Sequence, residues 1–352
     1  MKKFLKILLC ILLVIVLALL LFLGYLSATE YKPADVHESP IFGEAAEKNV
    51  PLGESIKIIS WNEGYSALGK AQDFLTDGGG NAPDADEETV RKYLKGMQDT
   101  LRSHDDVDIY MLQEIDIQSK RSFYIDMREE QYLNQGVFAL NFSCPYVPYP
   151  FPPFGEVNGG LFTTAAYDIE LAQRIALPCP FKWPLRIANL KRCLLVSYLP
   201  IEGSDSELVI VNLHLEAYDS GEGKIAQTKQ LKEFIQAEYE KGNYVIAGGD
   251  FNQVFPGTLE IYPNEHPENW LPGMLEDNSI PEGWSYAYDA TTPTCRLLNQ
   301  PYDPSDKENT QYYVIDGFIL SPNVELVNVE TLDMGFENSD HNPVKLEIRL
   351  AG

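Results

Sequence analysis

Basic residues are scarce in this chain. Its 352 residues include 27 Lys and Arg against 52 Asp and Glu, for a net charge of −25. The first 28 residues hold Lys2, Lys3 and Lys6 and no acid, which leaves −28 for the remainder. Proteins that grip long polyanions neutralise phosphates with Lys and Arg, so this balance disfavours duplex nucleic acid. Most of the acids read as a solvated surface that keeps the protein soluble. Histidine and cysteine are rare too, at five each. No CxxC pair and no His-rich cluster suggests zinc. Cys144, Cys179, Cys193 and Cys295 permit three disulfide connectivities if they lie outside the cell, with packed free thiols an equal alternative. Cys10 has the wrong neighbours for a lipidated cysteine. There is no Ser or Cys triad signature, and no internal repeat that would imply a solenoid. Low-complexity disorder is excluded, because 45% hydrophobic and 11% aromatic residues run through the chain. That composition suits one large domain or two small ones.

Long apolar runs are also few, and the one at the N-terminus is the clearest local signal. Residues 7–28 are uncharged and dominated by Leu, Ile and Val. A helix of that length spans about 33 Å, enough for a hydrocarbon core of about 30 Å. Secretory signal peptides usually have apolar regions of only about 7–15 residues. Leu26-Ser27-Ala28 nevertheless offers a cleavage site, so a secreted form is the alternative. Lysines precede the run, while Glu30, Asp35 and Glu38 follow it. The positive-inside rule then leaves residues 1–6 as a cytoplasmic tip and puts the bulk outside a cell membrane crossed once. Residues 29–53, with Pro33, Pro40 and Pro51, read as a tether. A single domain is expected over 54–352.

That domain opens on an alternating apolar run, Ser55 to Trp61, typical of a strand. Residues 64–86 are rich in Gly, Asp and Asn and predict a loop. Val90, Leu94, Met97 and Leu101 predict a helix over 87–102; Leu231, Phe234, Ile235 and Glu238 predict a second over 224–239. Further strands are expected over 108–113, 136–140, 160–164, 194–199, 208–213, 244–247, 313–320, 324–331 and 344–350. Residues 142–153, dense in Pro and aromatics, predict a rigid surface loop, and 256–286 and 291–310 are long irregular stretches. The aromatic part, 146–154, either dips into a bilayer or packs on the domain. Many strands with two good helices suggest two layered sheets with helices outside.

Several of these strands end in polar residues that local structure does not require. They are Asn62; Gln113-Glu114; Asn212-Leu213-His214; Gly248-Gly249-Asp250-Phe251-Asn252; Asp316; and Ser339-Asp340-His341-Asn342. Singly, each has an ordinary explanation as a turn former, a helix cap or a packed histidine. Together, at the ends of consecutive strands, they converge on one edge of a sheet sandwich. Three carboxylates there would repel unless a cation neutralised them. Oxygen-rich sites favour Mg²⁺ or Mn²⁺ over zinc.

The order Trp61-Asn62, Leu112-Gln113-Glu114, Asn212-Leu213-His214, Gly249-Asp250-Phe251-Asn252, Asp316 and Ser339-Asp340-His341 resembles the endonuclease/exonuclease/phosphatase superfamily of metal-dependent phosphoesterases. The resemblance spans about residues 55–350. It implies a four-layered α/β sandwich, two packed mixed β-sheets flanked by helices. It also implies a Mg²⁺ (or Mn²⁺) site with Glu114 as main ligand, Asn62 beside it and Asp340 completing the metal side. On the same resemblance Asp250 orients or deprotonates the attacking water and Asn252 helps hold the phosphate. His341, partnered by Asp316, stands over the scissile phosphate. His214 protonates the leaving oxygen or stabilises the transition state.

Two family features are missing. The basic residue expected within 161–169 is absent, and Arg192 either replaces it or is an ordinary surface arginine. The Trp-Cys-Asp-Arg stretch of inositol-polyphosphate 5-phosphatases is not found. The expected function is therefore a membrane-anchored, extracytoplasmic Mg²⁺-dependent phosphoester hydrolase. Its substrate is left open among lipid headgroups, nucleotides or nucleic acid, and sugar phosphates. No protein partner is implied. The alternatives are an extracellular nuclease of the same superfamily and a catalytically inactive binding protein on this fold.

Overall fold

A computed structural model describes residues 1–80, 85–129, 133–306 and 308–351. Positions 81–84 and 307 of the expected loops lie outside the described residues. The chain begins with helix α1 (Lys2–Ala28), whose mean hydropathy reaches 3.5. Its apolar side chains are almost all exposed, except near the C-terminal end, where Leu26 is buried. The helix is long and apolar enough to cross a membrane, a property that signal sequences share.

Two seven-stranded mixed sheets follow. In the first the strand order is Val36–Glu38, Leu171–Ala176, Cys193–Pro200, Glu207–His214, Tyr244–Asp250, Asp316–Leu320 and Ser285–Ala287. In the second it is Val324–Thr331, Val344–Leu350, Ser55–Asn62, Ile109–Asp116, Gly155–Ala165, Gln135–Val147 and Ile41–Gly43. Each sheet contains one parallel pair joined through a helix. Ser55–Asn62 runs parallel to Ile109–Asp116 by way of α2 (Glu87–Ser103), and Glu207–His214 runs parallel to Tyr244–Asp250 by way of α3 (Glu222–Glu240). Parallel strands need such crossovers.

The sheets bury a shared core that includes Ile56, Ile58, Met111, Leu161, Leu195, Ile210, Ile246 and Phe318. α2 covers the second sheet with Val90, Leu94, Met97 and Leu101, each contributing about 1.5–3 kcal/mol by leaving water. The Asp86 side chain accepts from Thr89 N–H at 2.8 Å and caps this helix. α3 covers the first sheet with Leu231 and Ile235. The four layers are thus helix, sheet, sheet and helix.

Three sequence expectations are corrected. Residues 36–43 are not a free tether. Val36–Glu38 pairs with Leu171–Ala176 at the edge of one sheet, and Ile41–Gly43 pairs with Gln135–Val147 at the edge of the other. Val50, further along, is fully buried between the sheets. These strands have only three residues each and flank Pro40, too short for an alternating pattern. The loop expected over 142–153 begins later, because strand Gln135–Val147 continues past Phe142, with register shifts after Leu140 and Cys144. The strand expected over 313–320 is Asp316–Leu320, while Tyr312–Tyr313 pairs separately with Cys295–Arg296. All five cysteines are free thiols.

Candidate active site

The carboxyl ends of the two parallel pairs meet at one edge of the sandwich, where open α/β sheets commonly bind ligands. Register sets the site. In the first sheet Asp250 lies beside His214 in the parallel ladder and directly opposite Asp316 in the antiparallel one. In the second, Asn62 lies beside Gln113. The sheets are tied beneath the site by polar side chains. Gln113 Nε2 donates to Asn212 Oδ1 at 2.9 Å, and Asn212 Nδ2 donates to Phe162 O at 3.0 Å.

Local distortions aim the side chains. The pairing of Ile109–Asp116 with Gly155–Ala165 shifts register between Leu112 and Ile115, a bulge that turns Glu114 out of the ladder. Glu114 has φ 56°, a left-handed conformation costly for a glutamate. Asn252 sits at φ 49°, which asparagine tolerates better. Gly249 has φ +140°, and a Cβ there would lie 2.0 Å from Leu213 O. Only glycine lets the two parallel strands approach this closely just before Asp250.

The side chains converge on Asp250, which is 1% exposed. Its Oδ2 accepts from Asn62 Nδ2 at 3.0 Å, and its Oδ1 accepts from the Asn252 N–H at 2.8 Å. His214 Nε2 lies 3.4 Å from Asp250 Oδ2 and 3.9 Å from Glu114 Oε1. His341 Nδ1 is 2.8 Å from Asp316 Oδ2, and its Nε2 faces Asp250 Oδ2 at 3.9 Å and Asp340 Oδ2 at 4.0 Å. Thr294 Oγ1 accepts the backbone N–H of Asp316 at 3.1 Å. Trp61 Nε1 donates to His341 O at 2.9 Å, and Ser339 Oγ donates to Asn62 O at 2.7 Å, which pins the His341 segment to the second sheet. All eight residues expected at the site therefore come together. Asn62 enters through its amide N–H groups, donating to Glu114 and Asp250, while its Oδ1 takes the Gly64 N–H.

The electrostatics are those of crowded, dry acids. Burial, then Asp340, raises the Glu114 carboxyl. Burial raises Asp340. Burial, then Asp316 opposite, raises Asp250 well above the usual carboxylate range. The two histidines diverge. Burial, with Arg192 and His341 nearby, pushes His214 well below its ordinary value, so it is neutral. Burial also opposes charge on His341, but Asp316 overrides it, and the imidazole stands well above its ordinary value. Asp250, Asp316 and His341 bring three ligand-type atoms within 4.8 Å of one another. Asp316 is paired with His341 at 2.8 Å, while Asp250 shares the Asn62 amide with Glu114.

The site opens into a cavity of about 260 Å³. Its lining includes residues that sequence reasoning did not single out: Arg121, Asp77, Tyr218 and Trp270. Arg121 donates from Nε and Nη2 to Asp116 at 2.9 Å each, and its guanidinium lies 3.7 Å from the Tyr65 ring centroid. Among the described residues nothing takes its Nη1. Burial works against its charge, but Asp116 holds the guanidinium firmly protonated. No strand-end motif marks Arg121; only the fold brings it to the cavity. Arg192, read as either a substrate cation or a surface arginine, is 3% exposed and lines the cavity. Its Nη1 donates to His214 O at 3.0 Å, and its Nε lies 3.4 Å from Glu216 Oε2.

No family model and no curated protein matches this sequence. Solved structures do match the fold. An endonuclease/exonuclease/phosphatase from Bacteroides vulgatus superposes with a TM-score of 0.53 at 14% identity, covering 84% of this chain and 99% of that one. A protein of the same family description from Bacteroides thetaiotaomicron gives 0.51 at 16% identity over 84% and 97% of the two chains. TDP2 from Caenorhabditis elegans gives 0.50 at 15% identity over 85% and 75%. The chain has the endonuclease/exonuclease/phosphatase fold.

Proposed function

We propose that the chain is a divalent-metal-dependent phosphoester hydrolase, anchored in a membrane by α1 with its catalytic domain outside. The observation that carries the enzymatic reading is the buried Asp316–His341 couple beside Asp250, 3.9 Å from His341 Nε2, at a cavity lined also by Glu114 and Asp340. A packing role does not account for four buried or half-buried carboxylates at one strand edge. Three of them are raised by burial and mutual repulsion, which is the condition a divalent cation relieves. Glu114 and Asp340 would hold Mg²⁺ or Mn²⁺, with Asp250 adjacent. Bound there, the ion supplies positive charge to the phosphate's non-bridging oxygens.

The chain's own groups account for the rest. Asp250, high in proton affinity and held by Asn62 and Asn252, orients the attacking water and accepts its proton. Arg121, through Nη1, and Asn252 bind the phosphate. Arg121 thereby supplies the cation that the 161–169 segment lacks. Protonated His341, oriented by Asp316, stabilises charge developing on phosphate oxygens. Neutral His214 hydrogen-bonds on the same side. Asn62 is a positioning residue that keeps Glu114 and Asp250 in register. Water attack needs no covalent nucleophile.

The test is a substrate panel with the purified chain: a nitrophenyl phosphodiester, a phosphomonoester, single-stranded DNA, RNA, inositol phosphates and choline phospholipids. Each is measured in Mg²⁺, Mn²⁺ and EDTA. Metal-dependent turnover of at least one member is expected. No turnover of any member would favour the inactive binding protein, and turnover confined to nucleic acid would favour the nuclease.

A further inference from the structure

The domain carries exposed apolar residues on two segments that meet the end of α1. Phe151 is 86% exposed and Leu185 68%, with Tyr149 and Trp183 more than half exposed. They belong to two segments, 148–154 and 183–191. The end of α1 is fastened to this same region. Phe22 meets Tyr146 edge-on at 5.6 Å between ring centroids. Trp183 Nε1 donates to Ser27 Oγ at 3.1 Å. Just past the helix, Glu30 takes Arg186 Nε at 2.9 Å and lies 3.7 Å from Lys191 Nζ.

These contacts set a depth. Phe22 lies six residues before the end of the helix at Ala28, about 9 Å back along its axis. The interfacial layer flanking a hydrocarbon core is about 5–8 Å thick on each side. With Ala28 at the outer face of that layer, Phe22 would mark the hydrocarbon edge and Tyr146 and Trp183 would sit at the bilayer boundary, where Trp and Tyr are favoured, with Phe151 and Leu185 exposed on the same segments. The catalytic cavity shares these segments. Val147, Tyr149 and Pro150 line one wall with Ala188 and Leu190, while Glu114, Asp250 and His341 lie at the reacting end.

We propose that Tyr149, Phe151, Trp183 and Leu185 seat the domain on the bilayer that α1 crosses, and that the site takes its phosphoester from that bilayer. The substrate class is a membrane lipid phosphodiester, whose phosphate enters the cavity while its chains stay along the Val147–Tyr149 and Ala188–Leu190 wall. The chain beyond α1, carrying −28, repels an anionic surface at short range, so the headgroup is zwitterionic. In the hydrolysis a water oxygen bonds to phosphorus, one ester P–O bond breaks, and the released hydroxyl takes a proton. This inference rests on the proposed anchor and hydrolase, and its test separates the three.

The full chain is reconstituted into vesicles of phosphatidylcholine, with ordinary or chain-brominated acyl groups, as wild type and as Trp183→Phe. The difference between the two proteins isolates the emission of Trp183. That emission should fall by at least half in brominated vesicles. A chain that co-floats with vesicles but shows equal Trp183 emission in both overturns the seating; a chain that does not co-float overturns the anchor instead. Turnover is then read on vesicles of phosphatidylcholine, phosphatidylethanolamine and sphingomyelin, by release of water-soluble phosphate esters, and on soluble bis(p-nitrophenyl) phosphate. Phe151→Glu combined with Leu185→Glu should lower lipid turnover at least tenfold and change turnover of the soluble diester less than twofold. Equal loss on both substrates, or wild-type turnover of the soluble diester with none of the vesicle lipids, overturns the lipid assignment. No turnover of either overturns the hydrolase.

Discussion

Replacing Asp316 by asparagine isolates the charge that His341 draws on. The two side chains meet at 2.8 Å, and both residues are 5% exposed or less. The other carboxylate oxygen, Asp316 Oδ1, is buried without a hydrogen-bond partner among the described residues. The carboxylate is therefore spent mainly on the imidazole. Asparagine keeps the shape and one hydrogen bond but removes the charge. A charge-assisted bond in a dry site contributes about 1.5–3 kcal/mol, and orientation of the ring is lost with it. At about 1.4 kcal/mol per decade, a loss near 3 kcal/mol lowers kcat about 100-fold, with KM changed little. The pH profile should move as well. Asp316 raises His341 above its ordinary value, so without it the imidazolium is lost at lower pH and the alkaline limb of kcat shifts toward acid. The fold should survive, because Asp316 and Asp250 face each other across the ladder and the substitution relieves that repulsion. The assay is a pH–rate profile on a soluble phosphodiester in saturating Mg²⁺, with thermal melting alongside. Activity within threefold of wild type from pH 6 to 9, in a folded variant, would refute the role given to this couple.

Other expectations follow from neighbouring groups. Arg121→Lys keeps the charge but loses the forked pairing with Asp116, so KM for a phosphodiester should rise about tenfold with a smaller change in kcat; an unchanged KM would remove Arg121 from phosphate binding. Burial holds the Asp77 carboxyl at about 6, up from 3.8. An acid whose folded pKa lies above its unfolded one is penalised when ionised, so Asp77→Asn should gain stability over wild type as pH rises from about 4 to 6 and hold it above. The gain reaches about 3 kcal/mol at most, readable by urea denaturation at pH 4 and 7.5. Arg296, 1% exposed, donates to the carbonyls of Gly69, Gln72 and Gln300, and its replacement by Met should cost about 3–5 kcal/mol in the same experiment by stranding those carbonyls.

Much of this architecture is legible in the sequence because its signals are local. α2 and α3 carry apolar residues at helical spacing, and the central strands are short apolar runs that end in polar groups. Asn62, Glu114, His214, Asp250, Asn252, Asp316, Asp340 and His341 stand at or near those ends, so finding strands nearly finds the candidate site. What the sequence hides is non-local. Val36–Glu38 and Ile41–Gly43 have no pattern of their own and become strands only because two sheet edges await them. Arg121 reaches the cavity through its pairing with Asp116, and five residues of separation in a turn carry no catalytic signal. Arg192 offered two readings to the sequence, and its burial against Glu216 and the His214 carbonyl removes the surface one. The aromatic stretch after Val147 also had two readings. Phe154 packs against Phe74 and Tyr65, while Phe151 stays exposed, so inward and outward aromatics share one loop.

Metal-dependent phosphoester hydrolysis centred on Asp250 is read in the initial rate of bis(p-nitrophenyl) phosphate hydrolysis by the full chain, wild type and Asp250→Ala in parallel, in EDTA and across a Mg²⁺ titration. The wild-type rate should rise from background to saturation with Mg²⁺, and the variant should be at least 10³-fold slower with an unchanged melting temperature. A wild-type rate that EDTA leaves intact, or a variant with full metal-dependent activity, would contradict it.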